Sequence, residues 1–588
     1  RDPRWSRVEE TFGEDPVLSG ILGASMVDGL GGGNLSQKYA TIATLKHFLA
    51  YAVPEGGQNG NYASVGIRDL HQNFLPPFRK AIDAGALSVM TSYNSIDGIP
   101  CTSNHYLLTQ LLRNEWKFCG FVVSDLYSIE GIHESHFVAP TKENAAIQSV
   151  TAGVDVDLGG DAYTNLCHAV QSGQMDKTVI DTAVCRVLRM KFEMGLFEHP
   201  YVDPKIAAKT VRRKEHIELA RKIAQSSITL LKNENSILPL SKTINKVAVI
   251  GPNADNRYNM LGDYTAPQED SNVKTVLDGI LTKLSPFRVE YVRGCAIRDT
   301  TVNEIEQAIE AARRSEVVIV VVGGSSARDF KTSYKETGAA VAEEGSVSDM
   351  ECGEGFDRAS LSLLGRQQEL LESLQKTGKP LIVVYIEGRP LEKNWASEYA
   401  DALLTAYYPG QEGGNAIADV LFGDYNPSGR LPISVPRSVG QIPVYYNKKA
   451  PRNHDYVEVS SSPLYSFGYG MSYTTFEYSD LQVVQKSARC FEVSFKVKNT
   501  GKYDGEEVSQ LYMRDEYASV VQPMKQLKHF ERFHLKKGEE KKVTFVLTEE
   551  DFFLVNYTLK KVVESGTFQV MIGSSSDDIR LEKSISVE

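Results

Sequence analysis

The sequence predicts a multidomain fold of α/β plus all-β class: a TIM-like (β/α) barrel, then an open α/β sheet, then a β-sandwich of immunoglobulin or fibronectin type III kind. Three observations predict it. Up to about Pro204, short apolar runs alternate with amphipathic helical patterns, the rhythm of parallel βα units. From Lys246, longer Val- and Ile-rich runs such as VVIVVVG (317–323) are separated by helices, as in a doubly wound sheet buried on both faces. From Thr474, apolar and polar residues alternate with a period of two, as in half-buried strands. At 588 residues the chain has room for about two to four domains.

In the first segment, strands are expected at Ala43 to Phe48, Leu87 to Ser92, Gly120 to Ser124 and Val154 to Leu158. Asp69 to Ala84 and Tyr106 to Trp116 read as helices, the second with Leu107, Leu108, Leu111 and Leu112 on one face. The strand ends then present Lys46-His47, Tyr93, Asp125 and Asp155/Asp157. The carboxyl ends of barrel strands carry chemistry, so a carboxylate at such an end is a catalytic candidate, and Asp125 is the foremost. The bland alternative is that Asp125 caps the next helix. Four strands fall short of the eight a closed barrel needs, so the first part of the barrel is expected upstream of Arg1.

A helix over Lys214 to Leu231 leads into the second segment, with strands at Lys246 to Gly251, Val317 to Gly323 and Pro380 to Ile386. Helices are expected at Val302 to Ser315, Arg366 to Lys376 and Gly413 to Leu421. GPNADN after the first strand has neither nucleotide-binding fingerprint, so it reads as an ordinary βα turn. The long polar stretch between Gly324 and Arg358 is a candidate functional loop. Pro427 to Tyr465 is rich in Pro and Ser and reads as a linker draped over the surface. The expected domains are therefore 1–205, 214–435 and 474–588, with 436–473 as the linker.

Composition narrows the function classes. A net charge of −11 argues against a nucleic-acid binder, and no apolar run is long enough to span a membrane. The seven scattered cysteines show no CxxC and no metal-ligand spacing, so they read as core thiols. No signal peptide is visible at RDPRWSR, and Asn34-Leu-Ser and Asn556-Tyr-Thr matter only in a eukaryotic secretory host. The oligomeric state is open, a homodimer being one option.

Seven stretches occur together in one order: RDPRWSRVEETFGEDP (1–16), LKHFLAY (45–51), VMTSYNSIDGIPC (89–101), LLRNEWKFCGFVVSD (111–125), GEGFDR (353–358), PGQEGGNAIADVLFGDYNPSGRLPISVP (409–436) and YSFGYGMSYTTFEYS (465–479). With them the chain resembles the three-domain β-glucosidases and β-xylosidases of glycoside hydrolase family 3, over essentially its whole length. The resemblance implies a retaining exo-acting glycosidase that releases terminal β-D-glucose. Its two carboxyl groups would stand about 5 Å apart, one attacking the anomeric carbon and one protonating the leaving oxygen. It implies Asp125 as nucleophile, kept ionised by cations such as Lys46 and Arg7, and Glu354 as acid/base, carried by the second domain to a shared site. Glu351, Glu343 and Glu344 are Glu354's rivals on the same loop. Arg7, Lys46, His47 and Tyr93 match positions that line the terminal-sugar subsite. Asp157 either bonds a sugar hydroxyl or orders its own loop. No cofactor and no metal is implied, and the expected location is periplasmic or secreted.

The chain departs from the family pattern in three places. Ser124-Asp125-Leu126 stands where many relatives have Ser-Asp-Trp, and YAVPEGGQNG (51–60) lacks the arginine that in relatives reaches the sugar. A sugar-binding aspartate of relatives lies upstream of the RDPRW motif. The alternatives are a β-xylosidase, a dual glucosidase/xylosidase, or a non-catalytic carbohydrate-binding protein on the same scaffold. The last has no need of a carboxylate pair. The N-acetylhexosaminidase branch is disfavoured, because KHFLAYAVPEGG replaces its compact KHFPGHG loop.

Overall fold

A computed structural model describes residues 1–31, 34–266, 268–327, 333–334, 340–341, 349–449 and 454–588. The chain divides into two compact units. The first is built chiefly from Arg1–Trp5 and Thr11–Lys209; the second takes Ser6–Glu10 together with Thr210–Ser333 and Ala340–Glu588. Arg7, expected with the barrel segment, thus belongs to the second unit.

In the first unit, β1 (Thr44–Phe48), β2 (Ser88–Thr91) and β3 (Phe121–Val123) form a parallel three-stranded sheet in that order. Register pairs Leu45 with Val89 and Val89 with Val122, so the three carboxyl ends lie side by side. The fourth expected strand, Val154 to Leu158, shrinks to a single parallel bridge between Val123 and Val156. Its polar residues explain this. Asp155 takes the Val122 N–H and two guanidiniums, Arg113 at 2.7 Å and Arg186 at 2.8 Å, so it serves as a buried structural anchor. Helix α1 (Tyr106–Glu115) buries Leu107, Leu108, Leu111 and Leu112 against Val89 and Val122. Gly120 lets the chain enter β3, because a Cβ there would sit 2.0 Å from the Leu87 carbonyl oxygen.

The second unit opens with α2 (Lys214–Ser227), which ends before the expected Leu231. Thr229–Asn233 forms β4 instead, the β-branched Ile228-Thr229 pair favouring extended backbone once buried. Four further strands, β5 (Val247–Ile250), β6 (Val289–Val292), β7 (Val317–Gly323) and β8 (Leu381–Ile386), precede β9 (Ala402–Thr405). The sheet order is β4-β9-β8-β7-β5-β6, parallel throughout except at β4. Every residue of β7 and β8 is buried, with separate apolar cores on the two faces.

The stretch expected as a surface linker is buried in part, although 454–458 are exposed. Leu431, Val435 and Tyr465 are buried against the sheet, and Val435 pairs with Tyr465. Tyr446 stacks on Phe467 (centroids 4.6 Å apart) and meets Tyr512 edge-on at 5.7 Å. Pro and Ser content signals irregular backbone, but it does not signal exposure. Beyond this stretch lie the two antiparallel sheets of the sandwich. One holds β10 (Phe476–Ser487), β11 (Cys490–Asn499) and β14 (Glu540–Leu547). The other runs β13 (Gln526–Leu535), β12 (Gly505–Asp515), β15 (Gly566–Gly573), β16 (Ile579–Val587). Their inner faces interdigitate through Val493, Phe495, Leu511, Phe545 and Phe568.

Candidate active site

In the first unit, the carboxyl ends of β1, β2 and β3 gather His47, Tyr93 and Asp125. Asp125 Oδ1 accepts the Leu126 N–H at 2.8 Å, and Oδ2 lies 3.3 Å from His47 Nε2. Both side chains are buried. The next helix starts only at Glu130 and carries no side-chain cap, so the capping role considered for Asp125 has no helix end to serve there. An aromatic group surrounds His47. Tyr51 meets its ring edge-on at 4.8 Å, Trp5 meets Tyr51 at 5.0 Å, and Trp5 Nε1 donates to Asn59 Oδ1 at 2.8 Å. The Tyr93 hydroxyl donates to the Leu126 carbonyl at 2.9 Å, tying the end of β2 to the residue after Asp125. Lys46 precedes His47 on β1 and is exposed.

Asp157 stands apart from this group. Its Oδ2 accepts the Tyr163 N–H at 3.2 Å, and burial with the nearby Glu130 charge pushes its carboxyl above the usual range. Glu130 in turn accepts the N–H groups of Asp161 and Ala162, both at 2.9 Å. These bonds order the 157–163 loop, the structural option of the two weighed for Asp157.

In the second unit, Glu354 is held from three sides. Arg7 Nη1 donates to Oε1 at 3.0 Å, the Tyr264 hydroxyl donates to Oε2 at 2.7 Å, and the Glu354 N–H donates to Asp263 Oδ2 at 3.3 Å. Gly353 and Gly355 flank it at φ +89° and +92°, a region costly for any residue with a Cβ. At Gly353 a Cβ would also come within 3.1 Å of Asp263 Oδ2. The glycines of GEGFDR are thus what lets the glutamate stand out of a tight loop. Arg7 additionally grips Glu10, Nε to Oε1 at 2.6 Å and Nη2 to Oε2 at 3.1 Å. The guanidinium expected on sugar hydroxyls therefore makes three bonds to carboxylates.

Glu351 is engaged differently. Its Oε2 meets Arg358 Nη1 at 2.8 Å and Arg389 Nε at 3.3 Å; Glu351 and Arg389 are buried and Arg358 nearly so. Arg389 also donates to the carbonyls of Glu351 and Phe356, bracketing the loop that carries Glu354. Removing one partner of a buried charge network leaves the others uncompensated, at a cost of about 3–5 kcal/mol. Glu351→Gln should accordingly lower the thermal midpoint by several degrees in calorimetry; an unchanged midpoint would show the network to be idle. Glu9 lies beside this loop and accepts the Ser326 hydroxyl at 2.7 Å. Burial, with the Asp263, Glu10 and Glu351 charges, pushes its carboxyl up to about 8, so it is mostly protonated at neutral pH. Glu343 and Glu344, the remaining rivals, lie outside the described residues.

Residues 1–190 match the glycosyl hydrolase family 3 N terminal domain, 228–473 its C-terminal domain, and 507–576 a fibronectin type III-like domain. A "Beta-xylosidase" of Formosa agariphila is 39% identical over 98% of this chain and 80% of its own length. The chain belongs to glycoside hydrolase family 3. This family 3 chain is also 37% identical to a "Periplasmic beta-glucosidase" of Salmonella typhimurium, across 99% of its own length and 78% of the relative's. Among solved structures, a mutant β-glucosidase of Listeria innocua in complex with laminaribiose superposes with a TM-score of 0.91 at 34% identity, covering 100% of this chain and 80% of that one. The protein is a glycoside hydrolase, and the retaining double displacement is the mechanism typical of its family.

Two residues around Glu354 escaped the sequence analysis. Tyr264 lies 90 positions from Glu354 and Asp263 lies 91, in a stretch, LGDYTAP, with no catalytic spacing of its own. Tyr51 and Trp5 were visible only as members of longer motifs, with nothing to single them out.

Proposed function

We propose that this family 3 hydrolase releases terminal β-D-glucose from β-glucosides or oligosaccharides, with Asp125 as nucleophile and Glu354 as acid/base. In the first step, Asp125 attacks the anomeric carbon from the α face. Glu354 gives its proton to the glycosidic oxygen, and the aglycone leaves as an alcohol. In the second, Glu354 takes a proton from water, which attacks the β face and frees Asp125; the sugar departs with its original configuration. His47, Lys46 and Tyr93 are assigned to the terminal sugar. Arg7 is assigned to holding Glu354 and Glu10.

The single observation that supports this reading best is Asp125 itself. It is a buried carboxylate at the end of a barrel-type strand, held by Leu126 N–H and facing His47, where no helix needs a cap. A second reading, β-xylosidase or dual specificity, is favoured by the Formosa agariphila relative. The two sugars differ by one hydroxymethyl group, worth about 1–3 kcal/mol in a pocket, so a sequence pattern is a poor judge between them. The test is hydrolysis of 4-nitrophenyl β-D-glucoside and β-D-xyloside, followed by proton NMR. The β-anomer should appear first, with the glucoside the faster substrate. First appearance of the α-anomer would sink the retaining mechanism, and a faster xyloside would transfer the assignment to the second reading.

A further inference from the structure

The acid/base carboxyl proposed above is held by two residues to which no role has been assigned. The Asp263 carboxylate bridges two backbones: Oδ1 accepts the Tyr264 N–H at 2.7 Å and Oδ2 accepts the Glu354 N–H at 3.3 Å. Tyr264 is thereby fixed relative to Glu354, and its hydroxyl reaches Glu354 Oε2 at 2.7 Å. Two features show that the turn is built for this. Gly262 has φ +82°, where a Cβ would press the Tyr408 ring at 3.1 Å, and Tyr264 itself has φ +59°, a sparsely populated region for an aromatic residue. With Arg7 on Oε1, both carboxyl oxygens then have a fixed donor.

We infer that Asp263 and Tyr264 form a clamp that positions the Glu354 carboxyl for proton transfer. The inference rests on Glu354 being the acid/base. Burial raises the Tyr264 hydroxyl's own pKa above the ordinary tyrosine value, so it stays a donor across the working pH range. A hydroxyl donating to a carboxylate stabilises the ionised form and lowers its proton affinity. General acid catalysis needs the protonated form, so without the hydroxyl the alkaline limb of kcat/KM should move to higher pH. Tyr264 is a positioning residue in this scheme, since it acts through Glu354.

The experiment compares wild type, Tyr264→Phe, Asp263→Asn, Glu354→Ala and the double variant Glu354→Ala/Tyr264→Phe. Activity on phenyl β-D-glucoside, whose leaving group needs a proton, is set beside 2,4-dinitrophenyl β-D-glucoside, whose leaving group does not. In Tyr264→Phe the alkaline limb for the phenyl substrate should shift up by about one pH unit. Its kcat should drop roughly tenfold at the wild-type optimum with KM little changed. In Asp263→Asn the same kcat should fall several-fold without a comparable loss on the dinitrophenyl substrate. Adding Tyr264→Phe to Glu354→Ala should cost nothing further. An unmoved alkaline limb, or additive losses in the double variant, would overturn the clamp. A separate control guards the premise: azide should rescue Glu354→Ala on the dinitrophenyl substrate as β-glucosyl azide. Absence of rescue would reject Glu354 as acid/base, a failure distinct from an unmoved limb in a Glu354 variant that azide does rescue.

Discussion

Replacing Asp125 by glycine is expected to lower kcat on 4-nitrophenyl β-D-glucoside by roughly 10⁴-fold or more, as deletion of a covalent nucleophile does elsewhere. The reason lies in the strand ends of the first unit. Asp125 is the carboxylate whose oxygens are fixed by the Leu126 N–H and faced by His47 Nε2 at 3.3 Å, so its attack geometry is set before substrate arrives. Glycine removes the proposed nucleophile and leaves a gap on the α face of the sugar. Azide can enter that gap and displace an activated leaving group directly, in one inverting step. The product should be α-glucosyl azide, identified by its anomeric coupling constant. Activity within tenfold of wild type, or β-azide as product, would remove Asp125 from the nucleophile's role.

Glu354→Ala should separate substrates by their leaving groups. For phenyl β-D-glucoside the loss should be about 10²–10⁴-fold, the usual contribution of a positioned acid. For a dinitrophenyl glucoside, departure needs no proton and the first step should survive, leaving the glucosyl–enzyme to accumulate because water lacks its base. A burst of dinitrophenol followed by a slow steady state is the expected trace. Equal losses on both substrates would point to a structural role. The neighbouring Glu351 offers the contrast. Its bonds to Arg358 and Arg389 make it a brace, so its replacement should be read in stability more than in leaving-group dependence.

Composition and spacing do not tell the two glutamates apart; in the sequence only the resemblance carried by GEGFDR favours Glu354. They stand three residues apart in ECGEGFDR, equally acidic and equally loop-like. What distinguishes them are partners 38 residues onward, Arg389 for one, and 90 residues back, Tyr264 for the other. Local pattern carries no information at that range. Where the physics is local, the sequence was a good guide: VVIVVVG could only be a strand buried on both faces, and Leu107 to Leu112 could only be a helix with one apolar side. Strand β4 was concealed because a helical period ran on into residues whose extended form is dictated by pairing with β9. Arg7 is expected on the terminal sugar only because its motif implies it; its bonds to Glu10 and Glu354, one near in sequence and one far, had no local signal.

The packed rings of Tyr446, Phe467 and Tyr512 bear on how such a protein can be rearranged by recombination. Two of the rings precede the sandwich in the chain and the third belongs to its strand β12, so a crossover placed where the sandwich begins would separate an aromatic group from the face it covers. A gene acquiring or shedding this sandwich has to carry the preceding forty-odd residues along or replace the lost ring contacts. Inheritance of the two pieces is therefore coupled, the more so because Asn426, Ser428 and Arg430 already bond to Asp504, Glu506 and Glu507 around the start of strand β12.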